Sequence, residues 1–281
     1  MDLSIVIVNY KAKGLLKNCL RSLFKQPLGI KTEVIVVDNC SGDGTEQLLK
    51  THFPQVKLIS SPSNVGYAAG NNLGIKQSQG RYILLLNPDT VTLDNSLERF
   101  VQFMDQNPDA GAAACRLVNP DGTLQMNCRK YPTLAIPIFS RTMLGRLPKA
   151  KAAMAKYLMI DLDRSQKHAV DWVLSACMIV RRKAMDQVGL LDENFFIYFA
   201  DVDWCRQFRQ KGWQIYFCPD AELIHYFHRE SAEDIGLLST LKRSTRIHIW
   251  DWMKYLRKYH RAKMPLPHPE ILTKPINQVA N

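Results

Sequence analysis

Three strand-like runs, each apolar almost throughout and each stopping on polar residues, constrain this chain more than anything else in it. They are Leu3–Val8, ended by Asn9 and Tyr10; Glu33–Val37, ended by Asp38 and Asn39; and Tyr82–Leu86, ended by Asn87, Pro88 and Asp89. A strand without polar/apolar alternation must be covered on both faces, which flanking helices around a parallel sheet achieve. The intervening segments supply those helices. Apolar residues recur at helical spacing over Leu15–Phe24, a helix is expected over about 45–52, and residues 66–78 form a Gly/Ala-rich helical stretch after a short strand near Val56–Ser60. The β-α-β-α alternation predicts an α/β fold, a mostly parallel central sheet with helices on both faces.

The 281 residues suffice for one large domain and a modest appendage. The alternation breaks at 129–169, a Pro-containing basic stretch without a clear strand that predicts a loop or helical excursion. A strand-like run, Val170–Val180, follows, then a helix over Asp201–Lys211 and a strand over Gln214–Cys218. Residues 237–261 read as a basic amphipathic helix, ended by Pro265, Pro267 and Pro269. This divides the chain into a catalytic domain, 1–228, with 129–169 as its basic insertion, and a helical tail, 229–281. No run approaches the 18 apolar residues a membrane span needs. The opening MDLSIVIVNY reads as a strand, not a signal peptide. Seven scattered cysteines without a CxxC pair fit reduced thiols in a cytoplasmic protein.

The net charge of +11 is unevenly spread: residues 129–183 hold 12 Lys/Arg against 3 Asp/Glu, and residues 226–281 hold 10 against 5. The surplus lies outside the sheet-forming segments and suits an anionic partner: a phospholipid surface, a diphosphate-linked acceptor or a nucleic acid. Carboxylates at successive strand ends argue against the nucleic acid, because they repel phosphate. A nucleotidyltransferase is disfavoured too, since Ile7–Lys11 supplies no Gly-rich triphosphate loop.

In an open parallel sheet, ligands bind beyond the carboxyl ends of the strands. That places Asn9, Tyr10, Asp38, Asn39, Asn87 and Asp89 around one candidate site. Asn64, Gly66 and Asn71 lie at a helix start where small residues let backbone N–H groups approach an anion, or let the helix pack tightly on the sheet. Asp201 and Asp203, two apart at a helix start, face different directions, so one can enter a cleft as a general base while the other serves the helix. His225 and His228 follow the last predicted strand and are metal-ligand candidates if a carboxylate such as Asp89 stands near.

Together these stretches resemble family 2 glycosyltransferases of the GT-A fold, in particular the rhamnosyltransferase-like branch. The resemblance runs in order through Ser4–Tyr10, Val36–Asn39, Asn64–Asn72, Leu85–Thr90, Val170–Trp172, Gly189–Phe196, Tyr198–Trp204 and Gly212–His225. It implies a nucleotide-sugar donor, with Asp38 holding the base or ribose. Asp89, ending an Asn-Pro-Asp version of the family's DxD motif, would bind Mg²⁺ or Mn²⁺ on the sugar diphosphate with His225. Asp201 would be the catalytic base, and Asp171, Trp172 and Ser175 would stand on the acceptor side. Two departures are Ala200, where Glu usually precedes the base and whose presence leaves Asp201 and Asp203 both in contention, and Ser175, where Gly is usual. The reaction implied is an inverting transfer of a sugar, rhamnose by branch resemblance, to a glycan or lipid-diphosphate-linked acceptor in cell-surface polysaccharide synthesis. The expected location is cytoplasmic, peripheral on the inner membrane face through the basic tail. The alternative for the tail is packing against the catalytic domain or a second subunit, as in a homodimer.

Overall fold

A computed structural model describes residues 1–25, 28–140, 142–226, 243–260, 262 and 265. Its centre is a parallel block of four strands, β1 (Leu3–Asn9), β2 (Thr32–Asp38), β3 (Lys57–Ser60) and β4 (Tyr82–Leu86), in the order β3-β2-β1-β4. The sheet continues through β10 (Cys177–Arg181), β6 (Ala110–Val118), β11 (Gln214–His225) and β5 (Thr90–Thr92). β10 runs antiparallel between β4 and β6, whereas β6 and β11 are parallel to each other. The short β8 (His168–Ala169) pairs with β11, and β7 (Cys128–Arg129) with β9 (Trp172–Val173) makes a separate ribbon.

Helices cover both faces. On one side α1 (Lys13–Leu23), α2 (Thr45–His52) and α4 (Ser96–Gln106) bury Leu16, Leu20, Leu49, Phe100 and Met104. On the other, α3 (Gly66–Lys76), α7 (Arg182–Val188) and α8 (Ala200–Gln210) bury Ile75, Met185, Trp204 and Phe208. Each such side chain contributes roughly 1.5–3 kcal/mol through removal from water. α3 lies unusually close to β1: a Cβ at Gly74 would stand 2.4 Å from the Val6 Cγ1, and one at Gly70 would stand 2.9 Å from the Val8 Cγ1. The small residues of that helix therefore set its packing distance.

Three expectations need correction. The run Val170–Val180 is two strands separated by Leu174–Ala176: β9 belongs to the ribbon with β7, whose pairing the Leu174 N–H bond to the Asn127 carbonyl continues, whereas β10 lies in the central sheet. The last strand does not stop at Cys218: after a register shift between Cys218 and Glu222 it stays paired with β6 through Ile224 and takes up β5 on its other edge, so His225 is its final residue instead of a loop histidine. The 129–169 stretch is the helical excursion expected, with α5 (Ile136–Phe139), a short 3₁₀ turn at Met143–Arg146 and α6 (Pro148–Leu158), but its two ends are short strands, Arg129 in β7 and His168–Ala169 as β8.

The C-terminal helix α9 (Arg243–Tyr259) packs on the second helical layer. Thr245, Asp251 and Tyr255 form its buried stripe. Asp251 accepts hydrogen bonds from the backbone N–H groups of Phe196, Ile197 and Tyr198 at 3.1–3.3 Å. The opposite stripe leaves Ile249, Trp250 and Met253 exposed, Trp250 by 60%. Leu238, Leu241 and Lys242 of the expected tail helix, and His228, lie outside the described residues.

Candidate active site

Parallel pairing of β1 with β2 sets Asn9 beside Asp38 at the carboxyl edge. Asn9 is fully buried, and its Nδ2 donates to Asp38 Oδ1 (3.2 Å), Ser41 Oγ (3.1 Å) and Thr45 Oγ1 (3.0 Å). One amide thus fixes the carboxylate and the start of α2. Tyr10, the next residue, is 41% exposed and presents its ring at the same edge.

Asn39, Asn64 and Gly66 form a knot rather than an open cradle. Asn39 Nδ2 donates to Asn64 Oδ1 and Gly66 O, and Asn39 Oδ1 accepts from Val65 N–H. Gly66 takes φ +87°, and a Cβ there would lie 2.5 Å from the Phe196 carbonyl oxygen, which also accepts the Tyr67 N–H at 2.6 Å. Only glycine permits that approach, which pins the start of α3 beneath the segment leading to α8. Asn71 is buried and bonds the Tyr67 carbonyl within its own helix. Asn87 ties the end of β4 to the segment before β10 through its N–H to Ala176 O.

The β11–β5 pairing brings His225 opposite Thr90, next to Asp89. His225 Nε2 stands 3.3 Å from Asp89 Oδ1, an oxygen that is buried and makes no hydrogen bond. On the far side of the ring, Nδ1 lies 2.8 Å from Gln125 Oε1. The Gln125 amide is oriented by its NH₂, which donates to Asn119 Oδ1 and to the His225 carbonyl. That network assigns the proton to Nδ1 and turns the Nε2 lone pair toward Asp89. Two acceptors facing one another suit a shared cation, and an imidazole fixed by an amide behind it is the usual arrangement of a metal-binding histidine. Among the described residues no group of three or more His, Cys, Asp or Glu could hold a metal alone. Asp89 and His225 therefore fit a divalent ion whose remaining ligands are substrate oxygens and water, as is usual for Mg²⁺-type sites.

The third corner is the start of α8. Asp201 Oδ2 accepts the Ser175 N–H (3.4 Å) and Oδ1 accepts the Val202 N–H (2.9 Å). Burial raises its pKa above the ordinary carboxylate value, an effect opposed by those backbone bonds and by the charge of Arg129. Asp201 as a whole residue is half-buried. The Tyr67 hydroxyl donates to the Ser175 carbonyl (3.1 Å), tying α3 to the same corner. Ala200 is fully buried in the apolar layer.

Asp203 points elsewhere. It is 0% exposed and is held by Gln207 Nε2 (2.6 Å), Lys258 Nζ (2.8 Å) and Tyr259 OH (2.6 Å). Its partners Lys258 and Tyr259 belong to α9. Asp171 and Trp172 are also engaged with backbone: Asp171 Oδ2 accepts the Tyr131 N–H, and Trp172 Nε1 donates to Lys130 O. They anchor the root of the helical excursion beside Ser175. Gln125, Tyr67 and Arg129 were not singled out in the sequence. Arg129 belongs to, and Gln125 shortly precedes, a two-residue strand that no apolar run announces, and Tyr67 lies within a stretch whose signal is its small residues.

The family model for "Glycosyl transferase family 2" matches residues 4–189. The chain belongs to this family. It is 29% identical over 285 residues to the N-acetylglucosaminyl-diphospho-decaprenol L-rhamnosyltransferase of Mycobacterium tuberculosis, covering 94% of this chain and 91% of that one. It is 25% identical to rhamnosyltransferase WbbL of Escherichia coli K12, over 90% and 92% of the two chains. Among solved structures, S. aureus TarS 1-349 superposes with a TM-score of 0.55 at 19% identity, over 80% of this chain and 60% of that one. The mannosyltransferase PcManGT of Pyrobaculum calidifontis, in complex with GDP-Man and Mn²⁺, superposes with a TM-score of 0.59 at 16% identity, over 94% and 65%. These structural likenesses show the fold, a GT-A glycosyltransferase sheet.

Proposed function

We propose that this glycosyltransferase moves rhamnose from deoxythymidine-diphosphate rhamnose to a hydroxyl of a glycan or lipid-diphosphate-linked acceptor, by a metal-assisted, inverting, single displacement. The names of the two full-length relatives support the sugar, and the mycobacterial one supports a diphosphate-linked acceptor. The observation that carries the chemistry is Asp201, a carboxylate whose pKa burial raises and which accepts the Ser175 N–H, one residue before the Ala176 carbonyl that bonds Asn87 at the end of β4. Asp38 and Tyr10 receive the nucleoside. Asp89 and His225 hold Mg²⁺ or Mn²⁺, which neutralises charge on the departing diphosphate when bound. Asp201 takes the proton from the acceptor hydroxyl as its oxygen attacks the anomeric carbon. No second carboxylate among the described residues is placed as a covalent nucleophile, which favours one displacement over two.

Asp203 is read as a positioning residue that ties α9 beneath Asp201. The alternative base, Asp203 itself, would have to leave Lys258 and Tyr259 first. Asp201→Asn decides: turnover is expected to fall at least 10²-fold, the range for a lost general base, with donor affinity kept. Near-normal turnover would remove Asp201 from the role.

For location, we propose contact with an anionic membrane surface. No helix of the described residues is long and apolar enough to cross a membrane. Instead, Met143, Leu144 and Leu147 project from the basic excursion with exposures of 52–66%, near Arg146, Lys149 and Lys151. Apolar tips amid cations suit an interfacial attachment.

A further inference from the structure

Most buried or half-buried arginines of this chain are matched to internal acceptors. Arg164 donates to the Leu162 and Met159 carbonyls, Arg181 to those of Ala110, Met104 and Asn107, and Arg116 pairs with Glu222. Arg129 is different. Its Nε is buried and unbonded, as are those of Arg116, Arg164 and Arg206, but unlike theirs its terminal nitrogens also make no hydrogen bond or ion pair with any described residue. What holds it is aromatic: the guanidinium lies 5.6 Å from the Tyr157 ring centroid and 5.4 Å from that of Trp172.

The β7–β9 pairing sets Arg129 directly opposite Trp172, three residues before Ser175, whose N–H binds Asp201. The Arg129 charge is felt at Asp201, where it works against the effect of burial. The guanidinium therefore belongs to the base corner, and it opens the segment that carries the basic surplus. A guanidinium has five N–H donors in a planar fork that matches phosphate oxygens. Leaving such donors partly dry and unsatisfied is costly unless a ligand completes them. The aromatic pair fixes the fork in advance, so little freedom is lost on binding.

We propose that Arg129 is the anion-binding residue of the acceptor subsite, receiving a phosphate or diphosphate ester of the acceptor beside Asp201. This deepens, and rests on, the reading of the site as a glycosyltransferase centre. The same chemistry could be supplied by the donor diphosphate, and the test separates the two.

Binding of geranyl diphosphate, a short soluble prenyl diphosphate, is measured by calorimetry in EDTA, so that metal-bridged binding at Asp89 does not contribute. Metal-dependent binding of deoxythymidine-diphosphate rhamnose is measured in parallel. The wild type is expected to bind both. Arg129→Gln is expected to lose at least tenfold in geranyl diphosphate affinity with donor affinity unchanged, and Arg129→Lys to fall between. A purely structural clamp would lower the melting temperature of the free protein without this selective loss. Three results would overturn the proposal: no prenyl diphosphate binding by the wild type, equal binding by Arg129→Gln, or a loss confined to the donor. If the wild type fails to bind the donor at all, the broader functional reading falls instead. Should the glutamine variant not fold, the lysine variant carries the comparison, and wild-type affinity there would contradict the assignment.

Discussion

At the residue scale, the account turns on two carboxylates two positions apart that the fold sends to opposite tasks. Asp201 is an acid whose folded pKa is raised, so ionising it is penalised in the folded state. That penalty is present above the folded pKa and absent below the unfolded one. Asp201→Asn is accordingly expected to leave the melting temperature equal or higher, because Asn retains an acceptor for Val202 N–H. A clear loss of stability would mean that the carboxylate is structural. For activity the sign reverses: the base must be ionised, so kcat/KM should rise with pH through an acid limb lying above the ordinary aspartate range. Arg129→Gln should shift that limb further upward, since the removed cation favours the ionised form. A limb at the usual aspartate position in the wild type would contradict the environment described. Asp203 answers to stability instead. Removing the Tyr259 hydroxyl as Tyr259→Phe strips a 2.6 Å bond from a fully buried carboxylate and should cost about 1–3 kcal/mol in chemical denaturation.

At the element scale, the contact of α3 with β1 shows what small residues accomplish here. Gly74→Ala would force a Cβ into Val6 and is expected to destabilise by about 1–3 kcal/mol, an overpacking effect read by thermal or urea unfolding. The parallel block was legible because β1, β2 and β4 are apolar on both faces, a pattern that nothing but a covered strand tolerates. β6 was not: its Ala-Gly-Ala-Ala-Ala run has little strand character, and it becomes a central strand because β10 and β11 close around it. α4 escaped notice although Leu97, Phe100, Val101 and Met104 line its buried face. In the site, Asp38, Asp89 and Asp201 were visible as polar residues at strand or helix ends. Gln125 and Arg129 were invisible, since their significance comes from pairings about 100 and 43 positions away in the chain. The different directions of Asp201 and Asp203 followed from helical geometry; that Asp203 is the one held by Lys258 and Tyr259 depended on α9.

At the scale of the whole molecule, the proposed site draws on three places at the strand and helix ends: Asn9 and Asp38, proposed for the nucleoside; Asp89 and His225, proposed for the diphosphate; and Asp201, the proposed base. The segment leading into the antiparallel β10 bonds Asn87 at the end of β4 through Ala176 O and Asp201 through the Ser175 N–H, which ties the start of α8 to that strand end. The basic excursion leaves Met143, Leu144 and Leu147 exposed. Replacing Met143, Leu144 and Leu147 together by Ser is expected to abolish co-flotation with liposomes containing anionic lipid while leaving the melting temperature unchanged. Undiminished flotation would move the contact to the outer stripe of α9, where Trp250 and Met253 are exposed.

The most direct test of the central claim is calorimetric titration of deoxythymidine-diphosphate rhamnose, with and without Mn²⁺, into the wild type, Asp89→Ala and Asp201→Asn. The account expects metal-dependent binding of equal strength by the wild type and Asp201→Asn, and weak, metal-insensitive binding by Asp89→Ala. Unchanged metal-dependent affinity in Asp89→Ala, or no donor binding by the wild type, would contradict it.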